Sequence, residues 1–307
     1  MKTFQQFILE NKTQDQLGRV GLAVSVDMPD NVYIHDSKYN TGKIFKLLTK
    51  EEKAEPTDMP VFNYANWKIE KMIADGWDPE LVYNKIEAKE RVSSKVDWHK
   101  LHEGSEFITK VAYDAKGLKD LEFPIVAKPD NRYAGQGIVV FKTQEDVDNA
   151  DLEQFEVFSE KIDIKEEFRL FCWRGEPLML LKRIPADEKT KTLDKDVDDK
   201  LKFNYEKQPD GSHKPFSDLI VEFAGVHDDL DFYTMDVVID ENDKPFIIEM
   251  SSEPGPIYSI LSYVYGYIYE DFYGEPLLPE TKKIIDTYIK EDTDQLIKSE
   301  KGRFSIK

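Results

Sequence analysis

The sequence predicts a mixed α+β protein of two or three compact units, on three observations. Its 307 residues exceed what one core usually organises, since domains commonly hold roughly 100–200 residues. Its composition, 40% hydrophobic and 12% aromatic, is sufficient to bury a core and argues against disorder of the whole chain. Short apolar strand patterns alternate with helical spacings along most of the sequence, which is typical of mixed structure.

The N-terminal region predicts a short amphipathic peptide followed by a small α/β unit. Residues 1–13 have apolar side chains at helical spacing, which favours one or two helical turns; a frayed terminus is the alternative. Strand patterns follow at 21–26 and 31–35, and a helical spacing over 64–76 ends at Gly76. The sequence assigns no function to this unit.

The middle of the chain predicts further strands and helices. A helix near 93–102 is followed by short apolar strands, and then by Thr143 and Asp146 at the spacing of a helix capping box. Three apolar strands follow within 155–184. Residues 186–216 hold 15 charged positions among 31, which predicts a mobile, polar surface segment. A hairpin over 232–250 and an apolar, tyrosine-rich helix over 256–272 complete the pattern.

The charge and the cysteine content disfavour several classes of function. The chain carries 42 Lys and Arg against 61 Asp and Glu, a formal charge of −19. So acidic a surface repels phosphate backbones and anionic lipid, and we expect no nucleic-acid partner and no membrane partner. The single cysteine, Cys172, excludes an internal disulfide framework and a cysteine-based zinc cluster. No apolar run approaches the roughly 18 residues of a membrane span, so we expect a soluble protein of a reducing compartment, the cytoplasm.

Two carboxylates interrupt the apolar strands of the hairpin, Asp236 in the first strand and Glu249 in the second. If Asn242 and Asp243 form a two-residue loop, counting outward from it places these carboxylates directly opposite each other. Opposed like charges, with Cβ atoms about 5 Å apart, destabilise a sheet. A magnesium ion, whose ligands are carboxylate, phosphate and water oxygens, removes that repulsion. The alternative places one carboxylate in solvent or beside a lysine.

A glycine-bearing turn follows the apolar strand that ends at Lys128. Gly135, Gln136 and Gly137 precede the next strand, and glycines allow backbone N–H groups to approach a phosphate closely. The turn is neither a P-loop nor a dinucleotide fingerprint, and an ordinary hairpin is the alternative. On a chain of charge −19 a nucleotide needs a local group of cations, and the candidates are Lys95, Lys128, Arg169 and Arg183.

Taken in order, these motifs resemble those of the ATP-grasp superfamily, closest to its glutathione-synthetase/RimK-like branch. The resemblance covers residues 81–262. It implies that Lys95 and Lys128 are the two ATP lysines, and that residues 135–137 belong to the flexible glycine loop over the phosphates. It also implies roles for three further groups: the backbone around Glu160, Lys161 and Ile162 contacts adenine, Glu167 contacts the ribose, and Arg169 contacts a phosphate.

The same resemblance implies the chemistry, an ATP-dependent carboxylate–amine ligase with ATP and Mg²⁺ as cofactors. A carboxylate substrate takes the γ-phosphoryl group beside Arg183, and an amine acceptor then displaces phosphate from the acyl phosphate to form an amide. The substrates can be small molecules, peptides or proteins. Asp236 and Glu249 correspond to the metal ligands. The family usually has Asn two residues after the metal glutamate, and here that position is Ser251, a poorer candidate ligand for a second Mg²⁺.

The implied architecture is a small α/β domain followed by two α+β subdomains that enclose ATP. The charged segment is then a candidate lid over the acyl phosphate. The predicted boundaries are 1–13 for an N-terminal peptide, 14–92 for the α/β domain, 93–163 and 164–275 for the two subdomains (with the charged segment 186–216 in the second), and 276–307 for a C-terminal helix and tail.

Two other functions use the same residues. The first is a phage virion protein that binds nucleotide without ligating. Ser251 favours it, and so do residues 1–13, which resemble capsid-targeting peptides of phage head proteins, with Ile8-Leu9-Glu10 at the protease site. Such a protein would reside in the host cytoplasm or inside the capsid. The second is an ATP-dependent kinase of a small molecule, in which the reaction stops after phosphoryl transfer.

Overall fold

The structure is a computed structural model, and it describes residues 15–23, 45–48, 58–64, 69–74, 76–129, 135–193, 201, 203–252 and 259–303. The strands are β1 (Gly21–Ala23), β2 (Lys46–Leu48), β3 (Val61–Asn63), β4 (Val82–Tyr83), β5 (Val111–Ala112), β6 (Ile125–Lys128), β7 (Val139–Phe141), β8 (Val157–Glu160), β9 (Ile164–Trp173), β10 (Glu176–Pro185), β11 (Phe203–Lys207), β12 (Phe232–Asp240) and β13 (Pro245–Ser251). The α-helices are α1 (Ile69–Ala74), α2 (Ile86–Ser93), α3 (Lys95–Leu101), α4 (Gln144–Asp148), α5 (Glu188–Thr192), α6 (Ser217–Val226), α7 (Ser259–Tyr273) and α8 (Pro279–Arg303).

The chain divides into two compact units. The first joins the N-terminal residues up to Lys89 with 227–233 and 252–299, and the body of the second holds 90–226 and 234–251. Residues 252–275, expected with the second ATP-grasp subdomain, therefore cluster with the N-terminal region instead. The predicted subdomain boundaries within the second unit remain predictions.

A four-stranded parallel sheet organises the first unit, in the order β2-β1-β3-β4. Parallel strands need covering helices, and α1, the next helix after β3, contributes Ile69 and Met72 to a core cluster with Val61 and Val82 of the sheet. This agrees with the small α/β unit that the sequence predicts. The predicted strand at 31–35 and the peptide 1–13 lie outside the described residues. The core is built from Val61, Ile69, Met72, Trp77 and Val82.

The tyrosine-rich face of α7 is also part of the first unit, where it forms hydrogen bonds with Gln16. Gln16 Nε2 donates to the Tyr269 hydroxyl at 3.3 Å, and Gln16 Oε1 accepts from Leu278 N at 2.9 Å and from Thr281 Oγ1 at 2.8 Å. The Tyr265 hydroxyl donates to the backbone carbonyl of Gln16. Tyr265 and Tyr269 thus pack and hydrogen-bond inside the unit.

The second unit contains two antiparallel sheets. The smaller sheet has the order β5-β8-β6-β7, and the larger has the order β11-β10-β9-β12-β13. Helix α3 begins after Ser94, whose hydroxyl accepts from Asp97 N, and its Trp98 is buried beside Phe223 of α6. The capping box predicted at Thr143 and Asp146 is confirmed at the start of α4.

The prediction that residues 186–216 form a mobile, polar surface segment is wrong for Phe203–Lys207. Within that segment β11 pairs with β10 as the edge strand of the larger sheet, and Phe203 is buried. Among the helices that the structure describes, none has the length and apolar character needed to cross a membrane.

Candidate nucleotide and metal site

The hairpin of β12 and β13 pairs Asp236 directly with Glu249, which confirms the predicted apposition of the two carboxylates. The route to this register differs from the prediction. Asp240 accepts the backbone N–H groups of Asn242 at 2.9 Å and Lys244 at 2.8 Å, so the turn is longer than a two-residue loop.

The longer turn moves the first paired positions by one residue, since Ile239 pairs with Pro245 rather than with Phe246. A β-bulge between Asp236 and Val237 then inserts Ile248 as an extra residue in β13 and restores the carboxylate pair. The predicted two-residue loop was therefore wrong, but the carboxylates still pair because the bulge offsets the one-residue shift that the longer turn introduces.

Asp236 belongs to a group of four side chains, Glu167, Arg169, Arg183 and Asp236, called here the carboxylate–arginine cluster. Arg169 Nε donates to Asp236 Oδ1 at 2.7 Å and Arg169 Nη2 to Oδ2 at 2.8 Å. Arg183 Nη1 also donates to Oδ2, at 2.5 Å. The Asp236 side chain is only 5% exposed. The argument that the opposed carboxylates require a bound cation is therefore corrected, because the chain itself supplies two arginines to Asp236.

Arg183 is held on several sides within this cluster. Its Nη1 also bonds Glu167 Oε1 at 2.8 Å, and its guanidinium carbon lies 3.9 Å from the centre of the Phe203 ring. Strand pairing produces this arrangement, since Arg183 lies opposite Glu167 on β9 and opposite Tyr205 on β11. The edge strand β11 therefore contributes directly to the position of Arg183.

Burial and ion pairing act in opposite directions on the cluster. Burial raises the pKa of Glu167 to about 6, and Arg183 opposes that increase. Burial also disfavours the charge of Asp236, but Arg169 and Arg183 outweigh it and hold the pKa of that carboxyl below its usual range. Burial likewise disfavours the charge of Arg169, and Asp236 outweighs it, so the pKa of the guanidinium lies above its usual value. Near neutral pH the cluster thus holds two positive and two negative charges.

Lys128, at the end of β6, forms a second group with Glu249 and Lys95. Burial lowers the pKa of Lys128 to about 8; the charge of Glu249 opposes this and that of Lys95 adds to it. His99 lies four residues after Lys95 on α3, and burial followed by the charge of Lys128 lowers its pKa to about 2, so it stays neutral. The structure thus brings the two predicted ATP lysines into electrostatic range of each other, and Lys128 into range of Glu249.

The glycine turn has the backbone conformation that requires glycine. Gly135 and Gly137 have φ angles of 73° and 74°, which L side chains rarely adopt. A Cβ at Gly135 would also collide with the side chain of Leu201, so part of the charged segment packs directly on the turn. Residues 130–134 lie outside the described residues, and phosphate binding by Gly135, Gln136 and Gly137 stays a prediction.

The residues predicted to contact adenine follow β8. Glu160 N donates to Lys110 O at 3.2 Å, and Lys161 N donates to Pro124 O at 2.9 Å. The Glu160 carboxylate accepts from Glu122 N at 3.1 Å. Both N–H groups are thus used inside the protein, and a contact of Glu160, Lys161 and Ile162 with adenine stays a prediction.

The predicted metal ligands suit a magnesium ion carried by phosphates. Glu249 is exposed, and Ser251 follows it on β13 opposite Thr234, whose hydroxyl donates to Ser251 O at 3.3 Å. In the part of the chain that the structure describes, no three His, Cys, Asp or Glu side chains form a metal-binding group. Two opposed carboxylates fit Mg²⁺ when most of its ligands are phosphate oxygens and water.

Sequence reasoning missed three residues next to this site. Phe203 and Tyr205 alternate with polar residues, which is the period of a strand, but the high charge of the surrounding segment hid that signal. His99 shares a helical face with Lys95, and the spacing of four was the available signal.

No known protein family and no curated protein sequence matches the chain. Solved structures do resemble it. The D-alanine–D-alanine ligase of Bacillus anthracis aligns with a TM-score of 0.59 at 15% identity, over 87% of this chain and 99% of that one. The N5-carboxyaminoimidazole synthase of Aspergillus clavatus, solved with ADP and 5-aminoimidazole ribonucleotide, aligns with 0.54 at 11%, over 77% and 70% of the two chains. The ATP-grasp ligase PsnB, solved with a minimal precursor, aligns with 0.52 at 11%, over 89% and 99%.

At such low identity these likenesses establish the architecture and not the activity. The glutathione-synthetase/RimK-like branch stays a prediction, as does the capsid-targeting peptide, whose residues 1–13 lie outside the described ones. The mixed architecture with its two antiparallel sheets and the likeness to these solved structures show that this chain has the ATP-grasp fold.

Proposed function

We propose that this chain is an ATP-dependent carboxylate–amine ligase that works through an acyl phosphate. The observation that carries the proposal is one rung of the larger sheet, where Asp236 and Glu249 are paired beside the cations Lys128, Arg169 and Arg183. A polyphosphate bound to a chain of charge −19 needs such a local group of cations. The fold supports the proposal because its solved neighbours include ligases, one of them described in complex with ATP.

In this proposal the lysines bind the phosphates. Burial lowers the pKa of Lys128 to about 8, so its charge is poorly solvated in the free protein. A phosphate oxygen gives that ammonium the partner that water supplies elsewhere. Lys95, at the start of α3, adds a second positive charge, and the backbone of the glycine turn supplies N–H donors.

Arg183 positions the reacting carboxylate. Arg183 is fixed by Glu167 and Phe203, so its guanidinium is oriented before any substrate arrives. An oxygen of the substrate carboxylate attacks the γ-phosphorus, and the bond to ADP breaks. The amine nitrogen then attacks the carbonyl carbon, inorganic phosphate leaves, and the amine loses a proton to form the amide. When bound, Mg²⁺ supplies neutralisation of phosphate charge, and Asp236 and Glu249 would hold it, with Ser251 the candidate for a second ion.

Water must be kept from an acyl phosphate, and the segment 186–216 is suited to that task. Leu201 packs on Gly135, and Phe203 lies under Arg183, so the segment touches both the glycine turn and the cluster. We expect proteolytic cleavage within 186–216 to slow when ATP and Mg²⁺ are added. Unchanged cleavage would count against a lid.

The test of the proposed function uses hydroxylamine and a cell extract. The protein is incubated with ATP, Mg²⁺ and extract, and products that appear only with ATP are identified by mass spectrometry. Hydroxylamine intercepts an acyl phosphate as a hydroxamate, which also shows which acid was activated. The variants Asp236→Asn and Glu249→Gln are expected to form no product. Asp243→Asn, an exposed carboxylate in the same hairpin, is the matched control and is expected to behave as the unmodified protein.

The outcomes separate the alternatives. A hydroxamate, and an amide when an amine is present, supports the ligase. ADP release with a stable phosphorylated product and no hydroxamate indicates the kinase. Nucleotide binding without ADP release in any extract indicates a nucleotide-binding virion protein, and in that case the ligase proposal is wrong.

A further inference from the structure

We infer that Asp236 exchanges its partners when a nucleotide binds, so that the free protein binds divalent metal weakly and gains a metal site only together with a polyphosphate. The inference rests on the proposed function, which it deepens by assigning an order to binding. It concerns the two arginines as competitors of the metal ion for one carboxylate.

In the free protein, hydrogen bonds to arginine and burial leave the carboxylate oxygens of Asp236 poorly accessible to a cation. Three N–H groups from Arg169 and Arg183 are bonded to its two oxygens, and the side chain is only 5% exposed. A metal ion that approaches this carboxylate meets two guanidinium groups of like charge. Binding metal alone therefore requires the loss of buried, charge-assisted hydrogen bonds.

The two arginines differ in how firmly they are held. Arg183 has further partners in Glu167 and in the ring of Phe203. The side chain of Arg169 bonds only Asp236 among the described residues, through both Nε and Nη2. Arg169 is therefore the arginine that can leave Asp236, while Arg183 keeps its position.

A polyphosphate supplies what Arg169 loses. Guanidinium groups bind phosphate in the same bidentate manner as carboxylate, so Arg169 can exchange the Asp236 carboxylate for a phosphate and keep two hydrogen bonds. Asp236 is then a buried carboxylate with one arginine fewer, and a divalent cation restores the balance of charge. Phosphate and metal thus favour each other's binding, and such coupling is reciprocal.

The test measures binding of Mn²⁺ alone, by calorimetry, without nucleotide. Arg169→Gln is expected to bind Mn²⁺ about tenfold or more tightly than the unmodified protein, within the usual range of coupling between sites. Arg174→Gln removes the same charge from the exposed turn between β9 and β10, so it controls for the change in net charge and is expected to leave Mn²⁺ binding unchanged. In the double variant Arg169→Gln/Asp236→Asn the gain should disappear.

A second measurement, of the melting temperature, keeps the test informative if Arg169→Gln is less stable than the unmodified protein. Removal of Arg169 leaves Asp236 less compensated, so the melting temperature of Arg169→Gln is expected to fall and to recover on addition of Mn²⁺. Neither the unmodified protein nor Arg174→Gln should show that recovery. Equal Mn²⁺ affinity in the unmodified protein and Arg169→Gln, or a gain in affinity that survives Asp236→Asn, would overturn the proposed exchange of partners.

Titration of the unmodified protein with ADP and Mn²⁺ together is a separate experiment. Absence of binding there contradicts the proposed function itself, whatever the result of the titration with Mn²⁺ alone.

Discussion

Replacement of Lys128 by methionine is expected to stabilise the nucleotide-free protein and to remove nucleotide binding. Burial lowers the pKa of Lys128 from 10.5 to about 8, so the folded protein disfavours its charge relative to the unfolded chain. At 1.36 kcal/mol for each pKa unit this difference is about 3 kcal/mol. Lys128 is half-buried, so solvent reduces the effect, and we expect about 2 kcal/mol of added stability at pH 7. Methionine keeps most of the apolar stem of the side chain.

The pH dependence identifies the cause. Below pH 8 both the folded and the unfolded states hold the proton, and the folded state carries the full penalty. Between about pH 8 and 10.5 the folded state has lost the proton while the unfolded state keeps it, so the stability of the unmodified protein rises with pH. The advantage of Lys128→Met should therefore shrink through this window and vanish above it.

Urea denaturation at pH 7, 9 and 10.5 measures this advantage, and calorimetry with Mg²⁺-ADP measures the loss of binding. Lys119→Met, at an exposed lysine of the same unit, is the control and should change neither quantity. A Lys128→Met variant less stable than the unmodified protein at pH 7, with Lys119→Met unchanged, would show that the charge of Lys128 is compensated in the folded state and would refute the reasoning.

Three further predictions concern stability. Burial raises the pKa of Glu167 from 4.5 to about 6, so the unmodified protein should lose about 2 kcal/mol of stability as the pH rises through that interval. Urea denaturation at pH 4.5 and 6.5 measures this loss, which Glu167→Gln should lack. Gly135→Ala should lower stability by more than the ~1 kcal/mol expected of Gly104→Ala, because both glycines have positive φ but only Gly135 would also meet Leu201; equal losses would exclude that contact. Gln16→Ala should cost about 1–3 kcal/mol, since it leaves the part-buried Leu278 N and the buried Thr281 hydroxyl without their acceptor. The exposed control Gln154→Ala should be neutral in thermal melts.

Local patterns predicted most of the second unit. The capping box at Thr143 and Asp146 and the helix that begins after Ser94 depend on side chains a few residues apart, so the sequence contains their whole cause. Four of the five strands of the larger sheet, β9, β10, β12 and β13, were recognisable for the same reason, as apolar runs of the right length, whereas β11 was not. The apposition of Asp236 and Glu249 could be predicted because both lie in one hairpin.

Partners distant in sequence could not be predicted in this way. Arg169 lies 67 residues from Asp236, and Arg183 lies 53 residues from it. The sequence showed cations near apolar strands but not which carboxylate each would meet. The bulge at Ile248 was also invisible, because it depends on the balance between the Asp240 turn and the packing of two strand faces.

The carboxylate–arginine cluster and Lys128 differ in how their charges are stabilised when no ligand is bound. A site for a polyphosphate and a metal ion must hold several charges of both signs, and those charges must be stabilised when the ligand is absent. Within the carboxylate–arginine cluster, Asp236 and the two arginines stabilise each other's charges, so this group must exchange partners to bind a ligand. At Lys128 the charge is only partly compensated by Glu249, so the free protein is less stable but needs no rearrangement to accept a phosphate. Removal of Arg169 and removal of Lys128 should therefore change stability in opposite directions, which no account based on net charge alone would give, because both substitutions remove one positive charge from a chain of charge −19.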